Sequence, residues 1–233
     1  MLDVVYCAWN RLEFTRFTFE RLLENTNWEL VRELVVYDDA SSDGTTEYLL
    51  ETVRRAPVTS TFRNGVHRGS SVAALHDYLQ RGAADLFAFV ENDLAVPPAW
   101  LDVMTQVMSD YPELHLLGTE PYWHNRPPPD WDGHYSYRDY GHMGGNGLMR
   151  RRAFRRGPDF PTLNLTGFEI WQYLAKPKVG WIWPDLPVCL LDRHPLEPWR
   201  SLSLAYEEKG WQRPWELLPK KATFYWNWFP ATA

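Results

Sequence analysis

The chain has almost no cysteine: Cys7 and Cys189 are the only two in 233 residues. Two are too few for a disulfide framework, and they do not show metal-ligand spacing. Both sit in apolar runs and read as buried thiols, which fits a reducing, cytoplasmic setting. Long hydrophobic runs are also missing. No stretch approaches the roughly 20 apolar residues that span a bilayer, so no transmembrane segment is expected. Met1 leads at once into Leu2-Asp3-Val4-Val5-Tyr6, which reads as a strand rather than as the start of a secretory signal. Excess positive charge is absent, since the formal net charge is −6. That argues against a protein held to nucleic acid by bulk charge and leaves Arg150-Arg151-Arg152 as a local basic patch. There is no internal repeat and no low-complexity segment.

Aromatics are plentiful, with 13 Trp, 12 Tyr and 11 Phe. Most belong to a core. The face of tryptophan also stacks on the C–H side of sugars, so the composition points weakly toward carbohydrate.

The first half alternates strand and helix. Apolar, β-branched runs at 4–8, 33–37, 58–62 and 86–90 read as strands. Helical spacing covers 12–26, the stretch from Asp43 to about Arg55, the segment carrying Val72, Leu75 and Leu79, and the stretch from Pro97-Pro98 to Met108. This order implies a mostly parallel sheet covered on both faces, a three-layer α/β/α, Rossmann-like fold. In such sheets ligands bind at the carboxyl ends of the strands. Trp9-Asn10, Asp38-Asp39 and Glu91-Asn92-Asp93 each follow a strand directly, so all three clusters are expected at one edge. Carboxylates gathered in this way repel unless a cation or hydrogen-bond donors offset them. A hard divalent cation bridging carboxylate and phosphate oxygens would do so.

The second half is less regular. Residues 119–142 read as a long aromatic loop facing substrate, followed by Gly144-Gly145-Asn146-Gly147-Leu148-Met149. A helix is expected from about Thr166 to Ala175, with strands at 179–183 and 188–191. We divide the chain into a first half at 1–118 that bears the strand-end clusters, a second half of the same domain at 119–198, and an aromatic tail at 199–233.

Three segments carry a family resemblance. Val35-Val36-Tyr37-Asp38-Asp39-Ala40-Ser41-Ser42-Asp43-Gly44-Thr45 resembles the "VVDDGSTDGT" signature of glycosyltransferase family 2 and its inverting GT-A relatives. Val4-Val5-Tyr6-Cys7-Ala8-Trp9-Asn10-Arg11 resembles their opening strand and "TYNR" turn. Phe89-Val90-Glu91-Asn92-Asp93, with Pro97 and Trp100-Leu101, resembles the segment bearing their acidic metal motif. The order and spacing match as well.

The resemblance implies a GT-A fold and a metal-dependent, inverting transfer of one sugar from a nucleoside-diphosphate sugar. It also implies donor binding for the half at 1–118 and acceptor binding and catalysis for the half at 119–198. By the same likeness Asp39 accepts a hydrogen bond from the base, and Trp9 and Asn10 line that pocket with Asp38. Glu91, where the family has Asp, faces the ribose or the metal's water shell beside Asn92. Asp93 binds Mn²⁺ or Mg²⁺. Arg68, with Arg63 and His67 in the same loop, stands where relatives contact the nucleotide. Gly167-Phe168-Glu169 matches the family's "GED", which makes Glu169 the general base, with Asp159 and Asp185 in reserve. His194 resembles a late metal-binding histidine, and His142 is a weaker candidate.

Tyr122, Trp123, Trp131, Tyr135 and Tyr137 are the candidates for stacking on the acceptor, which could be a glycan, a lipid, a protein or a modified nucleic acid. Two other classes compete. A sugar-nucleotide nucleotidyltransferase should carry a glycine-rich loop after strand one, and Cys7-Ala8-Trp9-Asn10-Arg11 has no glycine. A non-catalytic carbohydrate- or nucleotide-sugar-binding protein is the other.

Overall fold

Leu2–Ala8 forms β1, and all seven of its residues are buried. A near-continuous apolar run is what a central parallel strand requires, because both of its faces are covered. Val4, Tyr6 and Ala8 point into one apolar cluster and Val5 and Cys7 into the other. The computed structural model describes residues 1–65, 71–119, 130–141, 143, 146–155, 168, 171–172, 175–184, 186 and 189–190.

Beside β1 lie β2 (Val31–Asp38) and, on its other side, β4 (Leu86–Glu91); β3 (Thr59–Asn64) flanks β2. These four strands are parallel. The sheet continues beyond β4 through β8 (Gly147–Arg150), β6 (Leu116–Gly118), β9 (Val179–Trp183) and β7 (Ser136–Asp139). β8 runs antiparallel to β4 and β6, and β7 antiparallel to β9, so six of the eight strands share a direction. β5 (Leu94–Ala95) and β10 (Cys189–Leu190) form a separate two-stranded piece.

Helices α1 (Leu12–Asn25), α2 (Thr45–Thr52) and α4 (Trp100–Asp110) cover one face, where Phe19, Leu22, Leu49, Leu101 and Met108 meet Val4, Tyr6, Val36 and Val90. Helix α3 (Ser71–Arg81) covers the other, where Val72, Leu75 and Tyr78 meet Val5, Val35, Phe87 and Phe89. Phe168 and Trp171 join that second cluster with fully buried rings. The three layers expected from the sequence are present. Each fully buried leucine or phenylalanine contributes about 1.5–3 kcal/mol.

The second half departs from the sequence reading. The stretch 119–142 is not loop throughout, because β7 lies within it on the sheet edge. Tyr137 meets Tyr111 edge-on at 4.8 Å and Arg138 lies over the Trp183 ring at 3.3 Å, yet no residue of the strand is buried and Arg138 and Asp139 are exposed. Four residues without a buried position leave no periodicity to read. β6, three residues long, was likewise not foreseen.

The end of the sheet away from the strand-end loops is closed by charge. Asp3 is fully buried and accepts from Arg32 Nε at 2.9 Å and Tyr78 Oη at 2.7 Å. Arg150-Arg151-Arg152 acts there as well. Arg150 donates to the carbonyls of Met108 and Leu114, Arg151 to those of Leu79 and Ala84, and Arg152 to that of Pro112. Leu79 and Met108 lie in the last turns of α3 and α4, where carbonyls lack partners inside the helix. Arg150 and Arg151, both half-buried, are therefore committed to carbonyls, while Arg152 is exposed.

Candidate active site

Register brings the polar clusters together. Ala8 pairs with Asp38, and Cys7 with both Tyr37 and Glu91, so β1, β2 and β4 end level. The loops that follow are tied to one another. Asn10 N donates to Ser41 Oγ at 2.7 Å, Ser42 N to Asn10 Oδ1 at 2.8 Å, and Leu12 N to Asp43 Oδ2 at 2.9 Å. Asp43 Oδ1 also accepts from Thr45 N at 3.1 Å, so this one carboxylate caps the starts of α1 and α2.

Asn10 and Arg11 are both left-handed, with φ of 50° and 60°. Two such non-glycine residues in succession persist only where their surroundings over-determine them, as these contacts do.

Asp38 is 1% exposed, and its carboxylate accepts from Ser41 N, Ser41 Oγ and Thr46 Oγ1. Its acceptor capacity goes into closing the turn. That turn presents Asp39, whose N–H donates to Ala8 O at 2.9 Å and whose half-buried side chain borders a cavity of about 310 Å³. Cys7, Tyr37, Arg63, Gly65 and Asp77 also line this cavity. Burial, with Glu91 and Asp39 nearby, pushes the Cys7 thiol well above its ordinary range. Cys7 is a free, buried, neutral thiol, as its apolar run suggested.

Asn92 is the hub beneath the loops. Its Nδ2 donates to Asn10 O and Thr15 Oγ1, both at 2.9 Å, and its carbonyl accepts from Thr18 Oγ1 at 3.0 Å. Tyr6 Oη, 2.8 Å from Thr18 Oγ1, extends this buried chain. Glu91 Oε2 accepts from Asn146 Nδ2 at 3.0 Å, Oε1 accepts from Ser71 Oγ, and Glu91 N donates to Asn146 Oδ1 at 2.9 Å. Glu91 thus joins the end of β4 to the residue before β8 and to the first residue of α3. Asp93 Oδ2 lies 3.3 Å from Arg11 Nη1. Trp9 stands 46% exposed at the tip of the first turn.

Asn10, Asp38, Asp39, Glu91, Asn92 and Asp93 therefore converge, with Trp9 at their margin. Arg68, Glu169 and His194 lie outside the described residues, as do His67, His142, Asp159 and Asp185. Of the aromatic candidates, Trp131 packs edge-on against Tyr135 at 5.0 Å, while Tyr122 and Trp123 lie outside the described residues. Arg11, Ser71 and Asn146 were not singled out from the sequence as site residues. Asn146, inside a glycine-rich stretch, was the one visible signal. Tyr140, stacked on Trp181 at 4.0 Å, was also missed.

Among the described residues no three His, Cys, Asp or Glu side chains gather around one point. Mg²⁺ and related ions are commonly held through one or two carboxylates together with substrate phosphates. Asp93, a carboxylate at the strand-end edge, fits that sparse mode, whereas Glu91 is engaged by Ser71 and Asn146.

The sequence matches the profile of "Glycosyl transferase family 2" over residues 3–162. The chain belongs to glycosyl transferase family 2. Its fold is similar to that of S. aureus TarS residues 1–349, with TM-score 0.59, 11% identity, and coverage of 81% of this chain and 60% of that one. It is also similar to the mannosyltransferase PcManGT from Pyrobaculum calidifontis, solved with GDP-Man and Mn²⁺, with TM-score 0.58, 14% identity and coverage of 91% and 66%. GalNAc-T7, solved with UDP, GalNAc and Mn²⁺, gives TM-score 0.57, 14% identity and coverage of 81% and 43%. The chain spans about 60% of the TarS fragment's length. No curated protein matches the sequence. These likenesses establish for the family 2 chain a GT-A fold. Among the described residues no helix is long and apolar enough to cross a membrane.

Proposed function

We propose that this family 2 protein is a glycosyltransferase that moves one sugar from a nucleoside-diphosphate sugar to an acceptor hydroxyl, with inversion. The observation that carries the reading is the convergence of Asp39, Glu91 and Asp93 at the level ends of β2 and β4, with Asp39 lining a cavity of about 310 Å³.

In this reading the base enters the cavity, where Asp39 accepts its N–H and the Trp9-Asn10 turn lines the entrance. Asp93, together with His194, would hold a Mn²⁺ or Mg²⁺ ion. When bound, the ion offsets the charge that develops on the departing diphosphate. Glu91 keeps the ends of β4 and α3 and the approach to β8 in place around the sugar-diphosphate, and Arg68 contacts the nucleotide. Glu169 takes the acceptor hydroxyl's proton as that oxygen bonds to the anomeric carbon. The bond from that carbon to the diphosphate oxygen breaks on the opposite face.

Residues 1–118 supply the donor half, and the aromatic stretch 119–142 holds the acceptor and excludes water. The acceptor is a glycan, lipid, protein or modified nucleic acid. The free buried thiol of Cys7 supports a reducing, cytoplasmic setting.

The test is release of nucleoside diphosphate from a panel of nucleotide sugars with mixed acceptors, in Mn²⁺ and in EDTA. Metal-dependent release by the wild type that is lost in Asp93→Asn supports the reading. A folded protein that binds nucleotide sugars yet releases nothing with any acceptor class is a binding protein instead.

A further inference from the structure

The outer edge of the sheet carries an aromatic strip that the donor site leaves unused. Along β9, Val179 is buried in one apolar cluster and Ile182 in the other, so the strand turns Trp181 and Trp183 to the same face as Val179, the face covered by α3. Both tryptophans are only half-buried, and neither is a member of a cluster. On β7, Ser136 and Arg138 stand opposite Trp183 and Trp181 and share that face. Two stacked pairs result. Tyr140 lies on Trp181 with ring centres 4.0 Å apart and planes at 23°, and the Arg138 guanidinium lies 3.3 Å from the centre of the Trp183 ring. Arg138 is exposed, and Tyr140 is 46% exposed. Each outer group is fixed by the ring beneath it, so a ligand that covers the strip orders little that is not already ordered.

Register joins the strip to the strand-end edge. Phe89 pairs with Gly147, Gly147 with Gly118, and Gly118 with Trp181, so these four residues are level. β4 and β9 run in the same direction, which makes Trp183 level with Glu91. The two strands are three positions apart in the sheet, or about 14 Å. From Trp183 the strip runs back along the edge through Trp181 to Tyr140, whose N–H donates to Val179 O at 3.1 Å.

We infer that the strip of Arg138, Tyr140, Trp181 and Trp183 binds the body of a glycan acceptor, a chain of several sugars whose reacting end lies at the donor site. The inference rests on the transferase reading for that reacting end, whereas the strip stands on its own geometry. Pyranose rings lay their C–H faces on the aromatic rings, and Arg138 and Ser136 supply donors for their hydroxyls. A lipid chain needs an unbroken apolar track, which the Arg138 guanidinium interrupts. A nucleic acid gains little from one arginine on a chain of net charge −6. Because the strip starts level with the site and leads away from it, short acceptors reach only its near end and longer ones cover Tyr140 as well.

The experiment probes the full chain with an array of neutral and acidic oligosaccharides of graded length, from monosaccharides upward, beside phosphatidylcholine–phosphatidylglycerol vesicles. The wild type is expected to bind at least one glycan series, with an affinity that rises with chain length. Tyr140→Ala is expected to weaken the long members about fivefold and to flatten that rise. Tyr140→Phe, which keeps the ring, is expected to retain it, and circular dichroism checks that both variants fold. Equal weakening at every length overturns the inference, because it marks a structural role for Tyr140. Undiminished affinity in Tyr140→Ala, binding to vesicles in place of any glycan, and absence of glycan binding each overturn it as well. Length-dependent glycan binding through Tyr140 by a protein that binds no nucleoside diphosphate supports the strip and overturns the donor site, so the two readings fail separately.

Discussion

Arg11 Nη1 lies 3.3 Å from Asp93 Oδ2, so the turn after β1 carries the counter-charge of the carboxylate after β4. The pair spans 82 residues of sequence and is only partly exposed, at 24% and 14%. It aims the Asp93 carboxylate without ligand, and it sets up a competition once a divalent cation arrives at the same oxygen.

Arg11→Gln removes the competitor. A pair of this exposure contributes about 1 kcal/mol. The Mn²⁺ concentration giving half-maximal nucleotide binding should therefore fall about fivefold. An unchanged or higher requirement would mean that guanidinium and metal do not share Asp93.

Asp93→Asn tests the carboxylate. Nucleotide affinity in Mn²⁺ should drop to the level that the wild type shows in EDTA, with an unchanged circular dichroism spectrum. Affinity that still responds to Mn²⁺ would move the metal away from Asp93.

Asn92→Ala tests the hub. The change strips two hydrogen bonds from Asn10 O and Thr15 Oγ1 beneath the loops. Thr15 Oγ1 still donates to Asn10 O at 3.3 Å, so the cost is that of the two lost amide bonds, about 1–3 kcal/mol, to be read from urea unfolding. Nucleotide binding should weaken as well, because Asn10 loses one of the contacts that hold its left-handed backbone. A loss below about 0.5 kcal/mol would show that water replaces the amide at little cost.

Glu169→Gln tests the proposed base. Donor binding should persist while transfer falls by at least about 10²-fold, the usual scale for a general base. Near-normal turnover would send the search to Asp159 and Asp185.

Much of the donor side could be read from residue order. β1 and β4 are buried on both faces, so their apolar runs are continuous, and their polar ends stand out. Parallel pairing then forces those ends together. The distribution of work within the clusters could not be read. Asp38 and Asn92 look like ligand-binding residues by type, yet burial turns their polar atoms toward backbone and neighbouring hydroxyls. Arg150 and Arg151 look like part of a local basic patch for the same reason, since sequence does not reveal which carbonyls lie within reach. β6 and β7 are short, and β7 pairs with a strand 41 to 47 residues later (Asp139 with Gly180, Ser136 with Trp183). Their identity comes from pairing rather than from any local pattern.

The most direct measurement is calorimetric titration of the purified protein with UDP, GDP, dTDP and CDP, each with Mn²⁺ and with EDTA. Metal-dependent binding of at least one of them is expected, which would establish the donor site and name the base. Absence of binding by all four, with the protein shown to be folded, would contradict the proposed donor site. The acidic cluster would then be a set of strand-end turns, with no donor site built on them.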